Sequence, residues 1–564
     1  MKTRYQVVIV GGGPVGVALA VELGQRGLAC ALVERRREPQ RIPMGPNLTQ
    51  RSVEHFYFWG VADALRAARI LPPSYPMSGI IAYRDLNNEY WAAPPLREIV
   101  NPYYFENNER LPQYQAEYVL RVRLTQLENV DARFGWAAES IAQDEGSVEV
   151  TIAEDGGSGR ETLHCDYVVG CDGAHSLVRE QADIACGGAD FDQLMVLALF
   201  RSRELHEGLK RFPPRSTYRV IHPDLNGYWQ FFGRVDVGES WFFHSPVPAN
   251  TTRDNYDFHA LLQKTAGFPF ACDFDYVGFW DLRIAVAETY QAGRIFIAGD
   301  AAHSHPPYGA YGLNNGLDDV VNLGWKLAAK LNGWGSDALL RTYSEERRPI
   351  FKETAEDFIE RGIRRDREFL RRYSPERDPA EFESAWQEHI NFNAPNVLTY
   401  EPHYEGSSIA FGPPGAASSA RGAHTFKARA GHHLPPQLLS SSRNVFEELG
   451  DGFTLFVFDH NETVAAAFAR AAKALRVPLK IVRDSYEQDR RAYEAKFILV
   501  RPDRYIAWIA NEPPNDPAAI LGKVVGAAQA TAPTSFPFVG LVALHRASHL
   551  NENGPQQLRG DVRC

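Results

Sequence analysis

Residues 5–36, YQVVIVGGGPVGVALAVELGQRGLACALVERR, run from an apolar stretch through three glycines to an acid followed by two arginines. Val7, Val8, Ile9 and Val10 are too few for a helix and mostly β-branched, so they read as a buried parallel strand. Gly11, Gly13 and Gly16 follow in G-x-G-x-x-G spacing, ahead of a helix expected from about Val15 to Arg26. The first glycine permits the tight turn, the second lets a pyrophosphate approach the backbone, and the third lets helix pack on strand. The helix N-terminus then aims its N–H groups at the phosphates. A second strand, LACALVE, delivers Glu34 18 residues past the third glycine, near the spacing of a carboxylate that holds a ribose hydroxyl. The ligand this predicts is an ADP-containing dinucleotide.

Outward from this unit, 564 residues suffice for two or three domains with a large core. A net charge of −10 with both signs mixed argues against a nucleic-acid surface. Cys30, Cys165, Cys171, Cys186, Cys272 and Cys564 show no C-x-x-C and no metal-ligand spacing, which predicts reduced thiols and no metal. With no apolar run long enough to span a membrane and no signal-peptide core, the expected location is the cytoplasm.

Pro43, Gly45 and Pro46 mark a loop before a helix from Ser52, and a further helix begins at Gln113. Residues 79–109 are aromatic and polar, and 187–288 read as β-rich, with strands around Trp229, Trp241 and Phe243. The α/β pattern returns at GRIFIAGDAAHSHPPYGAYGLNNGLDD as strand, loop and long helix. The charged stretch from Tyr343 to Tyr373 reads as a solvated helical face, and FGPPGAASSARGAH as a linker to a third unit. The expected architecture is α/β: a Rossmann-like dinucleotide domain (1–78, 110–183 and 288–400) interleaved with a β-rich substrate domain (79–109 and 184–287), followed by a unit at 424–564.

Three separated motifs, the glycine fingerprint with Glu34, GCDGAHSLVR, and FIAGDAAHSHPPYGAYGLNNGLDD, together resemble the class A flavoprotein monooxygenases, the single-component FAD-dependent aromatic hydroxylases. The resemblance covers the first 400 residues or so, and the final unit looks like the thioredoxin-like domain of larger members. That unit's lone Cys564 argues against disulfide exchange and for a role in assembly or as a lid.

By this resemblance FAD is the cofactor, NADH or NADPH the reductant and O2 the oxidant. It assigns to FAD binding Gly11, Gly13, Pro14, Gly16, Glu34, Arg35, Arg51, Gln113, Asp172, Gly173, Arg179, Gly299, Asp300, Gly309, Gly312, Leu313 and Asn314. Asp300 stands where ribityl hydroxyls pass, Gly312 to Asn314 match the segment that holds the ring, and Arg51 and Gln113 match contacts to the phosphates and adenosine. The implied chemistry is attack of a flavin C4a-hydroperoxide on an electron-rich aromatic carbon. A base near a phenol hydroxyl helps it. The backbone at Pro307 and the side chains of His244, His305 and Tyr308 are the candidates, with Trp229, Trp241 and Phe243 as ring-stacking walls. The expected partner is a small aromatic molecule, and a homodimer or larger homo-oligomer stays open. Baeyer–Villiger or epoxidising chemistry, and a flavin dehydrogenase without oxygen insertion, are the alternatives.

Overall fold

The computed structural model describes residues 3–43, 45–94, 97–306, 309–391, 393–415 and 417–527. Pro307, Tyr308 and Cys564 lie outside them. The opening strand, Arg4–Val10, sits inside an eight-stranded sheet, parallel to Cys30–Glu34 on one side and Arg160–Gly170 on the other. Its Val7, Val8 and Ile9 have no solvent exposure, as a β-branched run covered on both faces requires. Ile295–Ile297 extends the sheet beyond Arg160–Gly170, and Val130–Phe134 beyond Cys30–Glu34. The helix after the glycines, Pro14–Gln25, packs against Tyr311–Leu331 and Gln113–Leu124. The chain thus returns twice to the same layer.

A second eight-stranded sheet runs in the order His303–Ser304, Asp273–Ala287, Cys186–Arg201, Ser240–Val247, Trp229–Arg234, Thr217–Ile221, Gly79–Tyr83, Trp91–Ala92. All neighbours are antiparallel except Thr217–Ile221 with Gly79–Tyr83. Its first strand belongs to the loop that leaves the first sheet, pairing Ser304 with Ala285 and His303 with Val286. This short pairing stitches the two sheets together at the site described below.

The C-terminal sheet has the order Leu479–Arg483, Phe453–Val457, Phe497–Val500, Ile506–Ala510. The first pair is parallel across the helix Glu462–Leu475 and the others are antiparallel, the β-α-β then β-β arrangement of a thioredoxin-like unit.

Two sequence expectations are corrected here. The stretch from Tyr343 is no solvated face: on the helix Asp337–Thr354, Glu346 and Arg347 are buried, and each is matched by opposite charge. Beyond it the helix widens into a π-helical turn, Ala355–Glu360, whose Ala355, Phe358 and Ile359 pack with Met195, Trp229 and Leu282 of the second sheet. Nor is the proline- and glycine-rich stretch after Tyr400 a loose linker. Ile409 packs in the C-terminal core and Ala420 beside Trp229, because small residues let this segment lie close against both. Trp325 and Leu339, from the helices behind the first sheet, share that C-terminal core.

Candidate cofactor and substrate site

At the nucleotide end each glycine has a distinct physical reason. Gly11 takes φ +98°, and a Cβ there would stand 2.3 Å from the Cys171 carbonyl oxygen. A Cβ on Gly16 would stand 1.9 Å from the Gly11 carbonyl oxygen, so helix and strand meet backbone to backbone. A Cβ on Gly13 would have nothing within 4 Å. Gly13 caps the helix, Pro14 follows at its first turn, and no side chain caps its N–H groups. They face the open space beside Gly13, the geometry an anion needs.

Glu34 ends its strand and accepts hydrogen bonds from the Gly12 N–H at 2.6 Å and the Arg36 N–H at 2.8 Å, while Arg35 is exposed. Sequence reasoning missed Arg121, which donates to the Gly12 and Arg37 carbonyls at 3.4 and 2.8 Å and pairs with Glu117 at 2.8 Å. Burial pushes the Glu117 carboxyl up to about 7 against the pull of Arg121. The i, i+4 spacing of the pair was the available signal.

The two other motifs meet a short way along. Ser176 caps the helix Leu177–Gln181, and Asp172 braces that cap, accepting from Ser176 Oγ at 2.5 Å and the Val178 N–H at 3.1 Å. Arg179 donates to the carbonyls of Ala174 at 2.8 Å and Ala301 at 2.9 Å, tying the Asp172–Gly173 loop to the Gly299–Asp300 loop. Both loops turn on glycines with positive φ, +86° at Gly173 and +58° at Gly299.

Asp300, Arg179, Arg283, His303 and Ser304 line a cleft between the sheets. The protein around Asp300 raises its carboxyl above the usual range, with His303 opposing, and among the described residues it accepts no hydrogen bond. Behind it, Asp319 accepts from His303 Nε2 at 2.6 Å, Arg347 Nε at 2.8 Å and the Gly299 N–H at 3.2 Å. Burial works against the Asp319 charge, yet His303 and Arg347 hold its carboxyl below the usual range. None of these three was singled out in the sequence, where nothing marks them as a unit.

The helix Tyr311–Leu331 follows the Asp300 loop, its N-cap Ala310 left-handed at φ +59° and without a side-chain cap. Gly309 and Gly312 flank that turn, and Arg97 reaches the Gly309 carbonyl. The Asn314 side chain is fully used: Oδ1 accepts from the Thr49 N–H at 2.8 Å and Ser52 Oγ at 2.6 Å, and Nδ2 donates to Asn47 and Ala310 carbonyls. Any ring contact here is therefore left to the backbone. A Cβ on Gly45 would lie 3.1 Å from Gln113 Oε1 and 3.6 Å from Leu313 Cβ, so these three converge.

Arg51 is the correction. Its guanidinium lies buried against Glu54 at 3.2 Å and Asp318 at 3.5 Å, donates to the Asp503 carbonyl and stacks over Tyr505. It docks the C-terminal unit instead of waiting for a phosphate.

Strand alternation divides the expected ring walls. Trp229 and Phe231 pack with Trp280, Leu282 and Tyr311, on the side of the cofactor loop. Trp241 and Phe243 point the other way, into a core with Leu262 and Ala266 beneath the helix Phe258–Ala266, where Trp241 Nε1 donates to the Ser202 carbonyl at 3.0 Å. They are corrected to far-side core residues; Phe242 takes their place on the near face, packing with Leu197, Phe231 and Trp280.

His244, also on that face, stacks on Phe231 at 4.9 Å and meets the edge of Trp280 at 5.8 Å. Burial holds it neutral, with its pKa lowered to about 3, and its Nδ1 has no protein partner. His305 is likewise lowered to about 4 by burial. Its Nδ1 donates to the Pro306 carbonyl, which leaves Nε2 as an unpartnered acceptor facing Gly312. Each is a neutral imidazole able to accept a proton at a single ring nitrogen.

These surroundings fit FAD on their own chemistry: open space and unspent N–H groups at Gly13, an unpartnered acceptor at Asp300, and an uncapped helix end behind Gly309. Residues 4–357 match the family described as FAD binding domain, and residues 427–528 match aromatic-ring hydroxylase, C-terminal. The 4-methyl-5-nitrocatechol 5-monooxygenase of Burkholderia sp is 30% identical over 91% of this chain and 96% of its own length. Tetracenomycin B2 monooxygenase-dioxygenase of Streptomyces olivaceus is 28% identical over 93% and 98%. The structure of the rebeccamycin biosynthetic enzyme RebC with reduced flavin superimposes with TM-score 0.79 at 27% identity, covering 94% of this chain and 100% of that one. Matched in family over most of its length and in relatives over nearly all of it, the chain belongs to the FAD-dependent aromatic-ring hydroxylases, the class A flavoprotein monooxygenases.

Proposed function

We propose that this enzyme hydroxylates a phenolic or polycyclic aromatic ring held against the face formed by Trp229, Phe231, Phe242, His244 and Trp280. The observation that carries the reading is the pairing of His303–Ser304 with the second sheet, which sets that face beside the Asp300 cleft. When bound, FAD supplies the oxygen-transfer chemistry, with NAD(P)H as reductant and O2 as oxidant. The glycine turn and first helix would hold its pyrophosphate, Glu34 a ribose hydroxyl, Asp300 the ribityl chain, and the backbone from Gly309 to Asn314 the ring.

The apolar face contributes a flat, dry surface that orients the substrate and excludes water. His305 Nε2, with Nδ1–H committed to the Pro306 carbonyl, is the stronger choice for receiving a phenol proton, since His244 sits deeper in apolar packing and resists charge more. Scattered cysteines favour the reducing cytoplasm as the enzyme's compartment.

The test is a panel of naphthols, hydroxylated polycyclic compounds and cyclic ketones given to the FAD-loaded protein with NADH or NADPH. A phenolic compound that accelerates NAD(P)H oxidation and returns one oxygen heavier on the ring supports the reading. Oxygen inserted next to a ketone moves the enzyme to Baeyer–Villiger chemistry, and flavin reduction without oxygenation of any compound removes the hydroxylase assignment.

A further inference from the structure

Away from the cofactor cleft and the aromatic face, three side chains converge where the segment after Tyr400 crosses the segment that enters the C-terminal sheet. The Tyr404 N–H donates to the Gly431 carbonyl at 2.7 Å, the Gly431 N–H to the Ile506 carbonyl at 2.7 Å, and the Ile506 N–H to the His432 carbonyl at 2.8 Å. On this backbone His403, Glu405 and His432 each bring a metal-ligating atom within 4.8 Å of the other two. Both imidazoles are 2% exposed and lie stacked with ring centres 4.5 Å apart, while Glu405 is partly open to solvent. Cysteine spacing, on which the expectation of no metal rests, says nothing of these residues.

Each ring is fixed at its far nitrogen. His403 Nε2 donates to the Arg421 carbonyl at 3.0 Å, and its Nδ1 accepts a long bond from the Glu405 N–H at 3.3 Å. An imidazole that donates at one nitrogen and accepts at the other is neutral, so Nδ1 carries a lone pair. His432 Nδ1 faces Glu401 Oε1 at 3.1 Å, and its Nε2 faces Glu405 Oε1 at 2.7 Å. Arg429 holds Glu401 in turn. Histidines that bind metals almost always donate the other ring N–H to a carbonyl or carboxylate, which sets the tautomer and the ring orientation. Here a carbonyl serves His403 and a carboxylate serves His432.

Ion pairing alone explains His432, a cation between two carboxylates. It does not explain His403, a buried neutral ring laid against that cation with its lone pair turned toward the same glutamate. A metal ion uses all three.

We propose that His403 Nδ1, His432 Nε2 and the Glu405 carboxylate form a zinc site. Two imidazoles and one carboxylate suit Zn2+, with water in the fourth position, and the ion takes the place of the hydrogen between His432 Nε2 and Glu405. Ligands at about 2.0–2.1 Å from a tetrahedral ion stand about 3.3 Å apart, a spread reached from the present one by side-chain rotation. The enclosed rings make the ion a structural clamp. It joins His403 and Glu405 to the strand bridge of His433 with Tyr505, and His433 pairs with Glu54 at 2.8 Å on the helix Gln50–Phe58. The clamp is independent of the substrate reading above.

The experiment uses the full-length FAD-loaded protein, dialysed against a chelator, titrated with ZnCl2 by calorimetry and melted with and without the metal. One zinc per chain is expected to bind and to raise the melting temperature, as any ligand of the native state does. Mg2+ at the same concentration is expected to do neither, since it prefers an all-oxygen shell. H403Q leaves the His432 pairs with Glu401 and Glu405 in place, so it is expected to bind FAD as the parent does and to lose the zinc-dependent rise. E401Q, which removes the partner of His432 Nδ1, is expected to weaken zinc about 10- to 100-fold. No zinc uptake by the unmutated protein overturns the proposal and leaves His432 an ion-paired cation only. Equal rises with Zn2+ and Mg2+ overturn it as well, and so does undiminished zinc binding in H403Q, which places the ion elsewhere.

Discussion

Replacing Gly13 by alanine separates holding a cofactor from holding the fold. The backbone there, φ −68° and ψ −178°, suits any residue, and the new methyl meets nothing within 4 Å. Alanine is a poorer N-cap than glycine, costing about 0.5–1 kcal/mol. Restricting the unfolded chain returns about 0.4–1 kcal/mol. The FAD-free protein is therefore expected to unfold at an unchanged denaturant midpoint. The methyl nonetheless occupies the side of the turn on which the uncapped N–H groups of Pro14–Gln25 open. Displacing a pyrophosphate from one charge-assisted hydrogen bond costs about 1.5–3 kcal/mol, a Kd for FAD raised about 10- to 150-fold. Gly16→Ala is the contrast: its methyl falls 1.9 Å from a carbonyl oxygen, so helix and strand must part. Such overpacking costs about 1–3 kcal/mol in the FAD-free protein itself. The assay is fluorescence titration of FAD into cofactor-free protein, with urea denaturation of the same preparations. Undiminished FAD affinity in G13A refutes the reasoning, as does a loss of stability equal to that of G16A.

Glu346→Gln removes the carboxylate that Lys326 meets at 2.6 Å and the Arg501 fork at 2.6 and 2.8 Å; Arg501 keeps Asp503 at 2.6 Å, and Lys326 is left buried without an ion pair among the described residues. A loss of about 3–5 kcal/mol is expected in the first unfolding transition, and urea denaturation that shows less than about 1 kcal/mol contradicts it. Phe243→Leu is expected to lower stability while leaving KM and the product untouched, whereas Phe231→Leu, on the other face, is expected to raise KM; steady-state kinetics on both variants decides the face assignment. Glu117 carries a raised carboxyl pKa, so its contribution to stability is present below the ordinary carboxylate range and is lost as pH rises through about 7. Glu117→Gln is therefore expected to gain on the parent by up to about 1.4 kcal/mol per pH unit between pH 5 and 7; parallel stability curves for the two proteins rule the raised carboxyl out.

What the sequence made legible follows from how local each signal is. The strand at Val7, the turn at Gly11 and the acid at Glu34 answer to steric rules within a few residues, and the structure assembles them in the expected order. Family resemblance alone assigns Arg51 to the FAD phosphates. Besides Glu54 three residues on, its partners Asp318 and Asp503 are hundreds of residues away, and no local rule names them. Trp241 and Phe243 failed for a different reason: alternation assigns them to one face together but does not say which face meets the cofactor. Only the register against Cys186–Arg201 and the helix above Phe243 settle that.

The same long-range charges explain why the C-terminal unit is not a detachable appendage. Asp318 and Asp319 are neighbours on one helix, and Glu346 and Arg347 are neighbours on the next. Asp319 and Arg347 point toward Gly299 and the cofactor loop. Asp318 and Glu346 point the other way, to Arg51 and Arg501, and through them to Asp503 and Tyr505. Trp325 donates to Asp503 at 3.1 Å from the same helix that begins at the cofactor loop. Removing the C-terminal unit takes Arg501 from Glu346, His433 from Glu54, and the Asp503 carbonyl and Tyr505 ring from Arg51, while Lys326 stays with Glu346 and Arg51 with Asp318. A buried ion cluster contributes little net stability when whole and costs several kcal/mol when halved. Its effect here is to make the position of the Gly299–Asp300 loop depend on a sheet that never touches the substrate face, which gives a unit without a redox cysteine pair a physical reason to be retained.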